Sequence, residues 1–367
     1  MSDDPVLPDY AGACVSNLVP ALLEPTVEPV SWLPDVVHEA NQVVLLVIDG
    51  LGWEQLQARR HLAPTLASMV GRSITTVAPT TTATALTSIA TGLTPGEHGV
   101  VGYRINVGGD ILNVLRWSTP AGDARGTIPP GTFQKAASFA SQRPPILTRA
   151  EFHNGGFSGA HLDGTRFHGY RCMSTFMVEM RRLLSVNEPF IYAYYDGPDK
   201  VSHEYGLGAY FDAELAFTDR LVADIIAELP RGATLVVTSD HGQVHTGDAL
   251  IELPTDVLEH VAIQSGEARL RWLHARSGRS TALLDAVTAH FGELAWIRTR
   301  AQVIDEQWFG PHITVEGANR LGDIALAATG VHAFVDPADT GPYTLVGRHG
   351  SLTSAEMYVP LLVHGRP

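Results

Sequence analysis

Residues Val43–Gly50 read VVLLVIDG. A strand with one face in water would alternate apolar and polar positions. Six apolar side chains in a row therefore predict a strand buried on both faces, the habit of a parallel sheet. The same pattern returns in FIYAYYD, Phe190–Asp196, and in TLVVTSDHG, Thr234–Gly242. Between these runs lie helical stretches: one from about Trp53, one over Thr82–Thr91 stopped by Gly92, and one over Tyr210–Leu229 ending before Pro230. A short strand is expected at Ile74–Val77 and a last one at Tyr358–His364. Buried strands alternating with helices predict an α/β fold, a three-layer α/β/α sandwich around a mostly parallel, doubly wound sheet. In such sheets ligands sit beyond the carboxyl ends of the strands, and Asp49, Asp196 and Asp240 each fall at such an end.

The rest of the chain divides around that core. Residues 1–40, with Pro5, Pro8, Pro20, Pro25, Pro29 and Pro34, read as an extended N-terminal arm packed on the body. Residues 41–249 and 346–367 read as the main α/β core. Residues 250–345, where short runs such as LRWLHA surround a helix-like TALLDAVTAHFGEL, read as a small inserted α+β subdomain. Composition suits a packed globular protein, 45% hydrophobic and 17% charged. The net charge of -14 disfavours a nucleic-acid polymer as partner, yet permits a small phosphorylated substrate, because bound cations invert the local field. Cys14 and Cys172 have neither zinc-finger nor disulfide-framework spacing and are expected as free thiols. The start, MSDDPVLPDY, lacks the basic and apolar regions of a secretory signal, and the run Val43–Ile48 is far below the ~20 residues of a membrane span. A cytoplasmic protein with no membrane partner is the expectation; nothing in the sequence fixes an oligomeric state.

Taken singly, the polar residues have ordinary readings. Asp49 and the threonines Thr80, Thr81 and Thr82 could each cap a helix. Asp212, Glu214 and Asp219 read as a solvated helix face, and His245 as a loop histidine. Asp199 and His203 stand at i, i+4, on one side of a helical turn. Asp240-His241 after a buried strand is harder to explain by packing, and His349 lies between an arginine and a glycine late in the chain. Together, three aspartates and three histidines are the oxygen and imidazole donors that zinc takes where cysteine is absent, and manganese or iron would also accept them. Two divalent ions so held would stabilise both the attacking and the leaving oxygen of an in-line displacement.

The set VIDG, PTTTATALTSIATGLTPGEHG, PDKVSH, SDHG and RHG, in this order from residue 43 onward, resembles the alkaline phosphatase superfamily, in particular its nucleotide pyrophosphatase/phosphodiesterase branch. The resemblance implies a nucleophile nine residues before the threonine of the Thr-Gly that closes the helix. Here that pair is Thr91-Gly92, so the nucleophile falls on Thr82, with Thr81 as runner-up. It further implies one metal bound by Asp49, Thr82, Asp240 and His241, and another by Asp199, His203 and His349. Asp196 is not assigned as a ligand.

Two departures bear on the substrate. Ala83-Thr84 stands where the branch usually has Phe-Pro, and Tyr103 where it commonly has an asparagine, with Arg104 next. Tyr103 and Arg104 are candidate substrate contacts, one by a hydroxyl hydrogen bond and the other as a guanidinium clamp. The implied activity is hydrolysis of phosphodiester or pyrophosphate bonds of a small, nucleotide-type molecule through a covalent phosphothreonine. The alternatives are a phosphomonoesterase or phosphonoacetate-type phosphonate hydrolase on the same metals, and a non-catalytic metal- or nucleotide-binding module.

Overall fold

The computed structural model describes residues 4–24, 30–339 and 344–366. At its centre is a seven-stranded sheet of β1 (Gln42–Ile48), β2 (Val70–Thr75), β3 (Pro145–Arg149), β4 (Arg166–Tyr170), β5 (Phe190–Tyr195), β6 (Ala233–Thr238) and β7 (Tyr358–Gly365), in the spatial order β2-β7-β6-β1-β5-β3-β4. β1 lies in the middle, parallel to β6 and to β5, with Leu45 opposite Val236 on one side and Tyr192 on the other. β7 alone reverses, antiparallel to β6 and β2. The sheet is therefore mixed, with a parallel centre.

The unbroken apolar run of β1 has the cause its sequence indicates. Val43, Leu45 and Val47 enter the core on one face, and Val44, Leu46 and Ile48 the core on the other. Full burial of each such side chain contributes about 1.5–3 kcal/mol. The first face is covered by helix α2 (Thr82–Thr91) and by the N-terminal segment, through Cys14, Val15, Leu18 and Val19. The second is covered by α1 (Trp53–Ala58), α3 (Met173–Ser185) and α5 (Ala209–Glu228). The N-terminal residues are less extended than their prolines suggest. Val15–Asn17 and Leu18–Leu23 form short helical turns whose apolar side chains join the core. Pro25 and Pro29 lie outside the described residues.

Residues 250–345 contain a four-stranded antiparallel sheet, Val261–Gly266, Leu270–Ala275, Ile324–Ala328 and Ala295–Thr299 in spatial order, with the helix Ser280–Phe291. One face, through Leu273, Ile324 and Leu326, packs with Leu283 and Val287 of that helix. The other, through Leu270, Trp272 and Ala325, joins the core of the main body. Both cysteines are free, Cys14 buried and Cys172 exposed. Among the described residues no helix is long and apolar enough to cross a membrane.

Three local expectations are corrected. The strand placed at Ile74–Val77 runs over Val70–Thr75. Two strands of the main sheet, β3 and β4, and a small hairpin of Arg104–Val107 with Asp110–Asn113 were not anticipated. Asp219 is no solvated residue: it is buried and accepts from the backbone amides of Leu66, at 2.8 Å, and Thr65, at 3.2 Å. Glu214 is half-buried and receives the Tyr195 hydroxyl.

Candidate active site

Because β1, β5 and β6 are adjacent and parallel, their carboxyl ends open on one edge. Asp49 follows β1, Asp240 and His241 follow β6, and helix α4 (Gly197–Tyr205), directly after β5, carries Asp199 and His203 one turn apart. His349 comes from the loop preceding β7, whose reversed direction brings its first residues to the same edge. Gly50 makes the turn after Asp49 with φ +72°, and a Cβ there would meet Asp199 Cα at 3.0 Å. A larger residue would push α4 away from β1. Its amide donates to Asp240 Oδ1 at 3.2 Å, as does His241 N at 3.1 Å.

Thr82 is the first residue of α2, a helix buried from Thr82 to Ala90 and closed by Gly92 at φ +70°. The capping reading of the threonines does not hold. Thr81 occupies the N-cap without a side-chain capping bond, and Thr80 donates instead to Ser351 O at 2.8 Å. Thr82 Oγ1 lies 3.2 Å from His241 Nε2. That nitrogen is 3.3 Å from Asp49 Oδ1 and 3.5 Å from Asp240 Oδ2. Across the cluster, His203 Nε2 lies 3.2 Å from Asp199 Oδ1 and 3.3 Å from His349 Nε2, and the rings of His241 and His349 stack at 3.6 Å.

Which nitrogens carry protons follows from the partners. Nδ1 of His203 faces Gly347 O at 2.8 Å, Nδ1 of His349 faces Thr80 O at 2.7 Å, and Nδ1 of His241 faces Gly242 O at 3.0 Å. A carbonyl only accepts, so each Nδ1 holds the proton and each Nε2 presents a lone pair to the cluster. Asp49 Oδ1 and Asp240 Oδ2 are buried with no hydrogen-bond partner among the described residues. Converging lone pairs and unpartnered carboxylate oxygens in a dry setting are the donor set of a cation site. The electrostatics agree. Burial, reinforced by Asp240 and Asp199, pushes the Asp49 carboxyl well above the usual range. Burial raises Asp240 too, and burial with His241 and His203 nearby pulls His349 well down. A cation in their midst reverses each of these costs.

Geometry groups the donors slightly differently from the motifs. Asp49, Asp240 and His241 form one compact set, but a second set joins Asp199 and His349 with His241, so His241 faces both. Further residues position the ligands, and sequence reasoning passed over them. Gln243 Nε2 donates to Asp199 Oδ1 at 2.5 Å, the Tyr194 hydroxyl donates to Asp49, and Ser239 Oγ donates to His241 O at 2.9 Å. Their signal was adjacency: each lies within five residues of a ligand. Asp196 is held by Arg149 Nε at 2.7 Å and Lys200 Nζ at 2.7 Å.

A cavity of about 280 Å³ opens beside Thr82, Asp49 and Asp199, walled by Leu86, Leu115, Phe152, Phe157 and Leu162, with Tyr192, Tyr194 and Lys200 also lining it. Neither Tyr103 nor Arg104 lines it. The Tyr103 hydroxyl accepts from Asn113 Nδ2 at 2.6 Å. The Arg104 guanidinium, expected as a phosphate clamp, is buried against Asp336 instead.

A parallel-centred α/β sheet with this Asp/His cluster at its carboxyl edge defines a hydrolase of the alkaline phosphatase type. The chain belongs to the type I phosphodiesterase/nucleotide pyrophosphatase family, whose model matches residues 43–352, and is an enzyme of that metal-dependent hydrolase class. No curated protein matches it in sequence. Among solved structures it is similar to an inactive murine ectonucleotide pyrophosphatase/phosphodiesterase 5, carrying a threonine-to-alanine substitution, in complex with AMP; the TM-score is 0.65 at 17% identity, over 89% of this chain and 88% of that one. It is equally similar to phosphonoacetate hydrolase from Sinorhizobium meliloti in complex with phosphonoformate, with TM-score 0.65 at 17% identity, over 89% and 90% of the two chains.

Proposed function

We propose that the protein hydrolyses a phosphodiester or pyrophosphate bond of a small, nucleotide-type molecule, with Thr82 as nucleophile and two divalent cations, zinc foremost, as cofactors. The observation that supports this reading most is the placement of Thr82, whose Oγ1 lies 3.2 Å from His241 Nε2 in the Asp/His cluster while the residue also lines the cavity. Asp49, Asp240 and His241 with Thr82 would hold one ion, and Asp199, His203 and His349 the other. Bound there, the ions would neutralise phosphoryl charge and ease loss of the threonine proton. Thr82 Oγ1 forms the new bond to phosphorus as the bond to the departing oxygen breaks, leaving a phosphothreonine that water then hydrolyses. The first turn of α2 offers unpaired backbone N–H groups to phosphoryl oxygens. Gln243 and Tyr194 fix Asp199 and Asp49 in place.

The apolar wall of the cavity favours an organic group on the phosphorus over a bare phosphate. A phosphonate hydrolase is the second reading, supported by the equal likeness to phosphonoacetate hydrolase. A chromogenic aryl phosphodiester and phosphonoacetate, tested side by side on metal-replete protein and on Thr82→Ala, separate the two. Turnover of the diester, lost in the variant, is the expected result. Undiminished turnover by Thr82→Ala would overturn the assignment of the nucleophile, and cleavage of phosphonoacetate alone would favour the second reading.

A further inference from the structure

The segment that joins β2 to α2 is tied to both cation-donor loops. Near its start the Thr76 hydroxyl donates to the carbonyl of Asp240. Near its end, two residues before Thr82, Thr80 is fully buried and ties itself to three consecutive residues of the His349 loop. Its carbonyl accepts from His349 Nδ1 at 2.7 Å, and its amide donates to Gly350 O at 3.3 Å. Its hydroxyl accepts from Gly350 N at 2.9 Å and donates to Ser351 O at 2.8 Å. Capping, the ordinary task of a threonine beside a helix start, uses none of these bonds. The backbone bonds are open to almost any residue, so the hydroxyl is what this threonine adds. Gly350 and Ser351 are buried too, and without the hydroxyl Gly350 N and Ser351 O lose a partner that water cannot easily replace. The His349 ring hangs on the same seam, because the bond from its Nδ1 to Thr80 O sets the direction in which Nε2 points.

We propose that the Thr80 hydroxyl is a positioning group for the reaction. It holds the His349 loop against the segment that ends in Thr82, and so fixes both the aim of His349 Nε2 and its reach from the nucleophile. The inference rests on the two-cation reading of the site. Thr80 touches neither a cation nor the reacting atoms; it acts through His349.

Calorimetric titration of the metal-free full-length protein with zinc tests this. His349→Ala identifies the binding step that depends on that histidine. Thr80→Val keeps the shape and removes the hydroxyl, and should weaken the same step on the order of tenfold or more while the other step changes less than about threefold. Thr80→Ser keeps both hydrogen bonds and should bind zinc as the unaltered protein does. Thr76→Val removes a hydroxyl from the same segment on the Asp240 side, and should not reproduce the selective loss. A merely structural Thr80 would lower the melting temperature of the metal-free protein and leave both steps in place. That result would overturn the proposal, as would equal weakening of both steps, failure of serine to rescue, or the same selective loss in Thr76→Val. A second measurement needs no variant. On zinc loading, hydrogen exchange at the Gly350 amide should slow more than at the Leu66 amide, which is bonded to Asp219 far from the cluster. Equal slowing at the two amides would count against the coupling even if Thr80→Val did not fold. Binding of fewer than two zinc ions by the unaltered protein is a separate outcome, which removes the two-cation reading and this inference with it.

Discussion

His203 and His349, 146 residues apart in the chain, bring their Nε2 atoms to 3.3 Å while each gives its Nδ1 to a backbone carbonyl. Two lone pairs face one another with no proton between them. Such an arrangement is held together by a cation or is a standing cost to the fold.

Chelation should therefore destabilise the protein, lowering its melting temperature, and added zinc should restore it, since a ligand of the native state stabilises by mass action. The same electrostatics predict a crossover. Asp240→Asn keeps the oxygen that accepts from Gly50 and His241 but removes one of the buried charges that raise the Asp49 carboxyl. Scanning calorimetry should show the variant melting higher than the unaltered protein without metal, and lower with it. The same order in both states would mean that the aspartates do not act through a bound ion.

Thr81 and Thr82 are both buried and adjacent, and the helix separates them. Thr81 stands at the N-cap with extended backbone, while Thr82 is the first helical residue and faces His241. Thr82→Ala is expected to lower kcat/KM on a phosphodiester by on the order of 10³ or more, as removal of a nucleophile does. Thr81→Ala should cost less than about tenfold, because it removes no group from the reaction. Thr82→Ser should keep measurable turnover. A larger loss in the Thr81 variant would move the nucleophile by one residue.

Arg104 is expected to matter for stability and not for turnover. Its side chain is 8% exposed and pairs with Asp336, itself 7% exposed. Removing one partner of a buried ion pair costs up to about 3–5 kcal/mol, and Asp336 would keep only the longer ion-pair contact with Arg271, at 3.8 Å. Arg104→Ala should thus lower the denaturation midpoint strongly while kcat on monoester and diester substrates falls by the same small factor. Selective loss of monoester turnover would instead reinstate Arg104 as a phosphoryl clamp.

Arg104 also illustrates what a sequence leaves unsaid. The centre of the sheet was legible because each strand states its own burial: β1 is apolar from Val43 to Ile48, since both of its faces meet a core. The cation donors were legible because sheet topology gathers strand ends, and aspartates and histidines recurred there. The bounds of α2 followed from Gly92. What could not be read depends on distant partners. Arg104 finds Asp336 232 residues away, and Asp219 caps a helix whose amides lie over 150 residues earlier. The strands β3 and β4 were missed because Pro145–Arg149 and Arg166–Tyr170 are short, and the outer of the two is polar.

Glu267 gives a pH dependence that can be separated from the metal site. The carboxyl is buried beneath Gly350, accepts the Tyr103 amide at 2.9 Å, and leaves its other oxygen unpartnered. Burial raises it from 4.5 to about 8, against the opposing pull of the Tyr103 amide and Arg271, with Asp339 adding to the rise. Below pH 4.5 the folded and unfolded chains both hold this proton, and stability is unaffected by it. Between 4.5 and about 8 only the folded chain holds it, so stability declines as pH rises through that window and levels off above it. Glu267→Gln keeps the acceptor and cannot ionise. The variant should therefore match the unaltered protein near pH 4.5 and exceed its melting temperature increasingly toward pH 8, by on the order of a few degrees. Taking the difference between the two proteins at each pH cancels titration of the metal ligands, which both share. A difference that is flat with pH, or that shrinks as pH rises, would show that Glu267 is ionised in the fold, with a cation beside it that Arg271 alone does not explain.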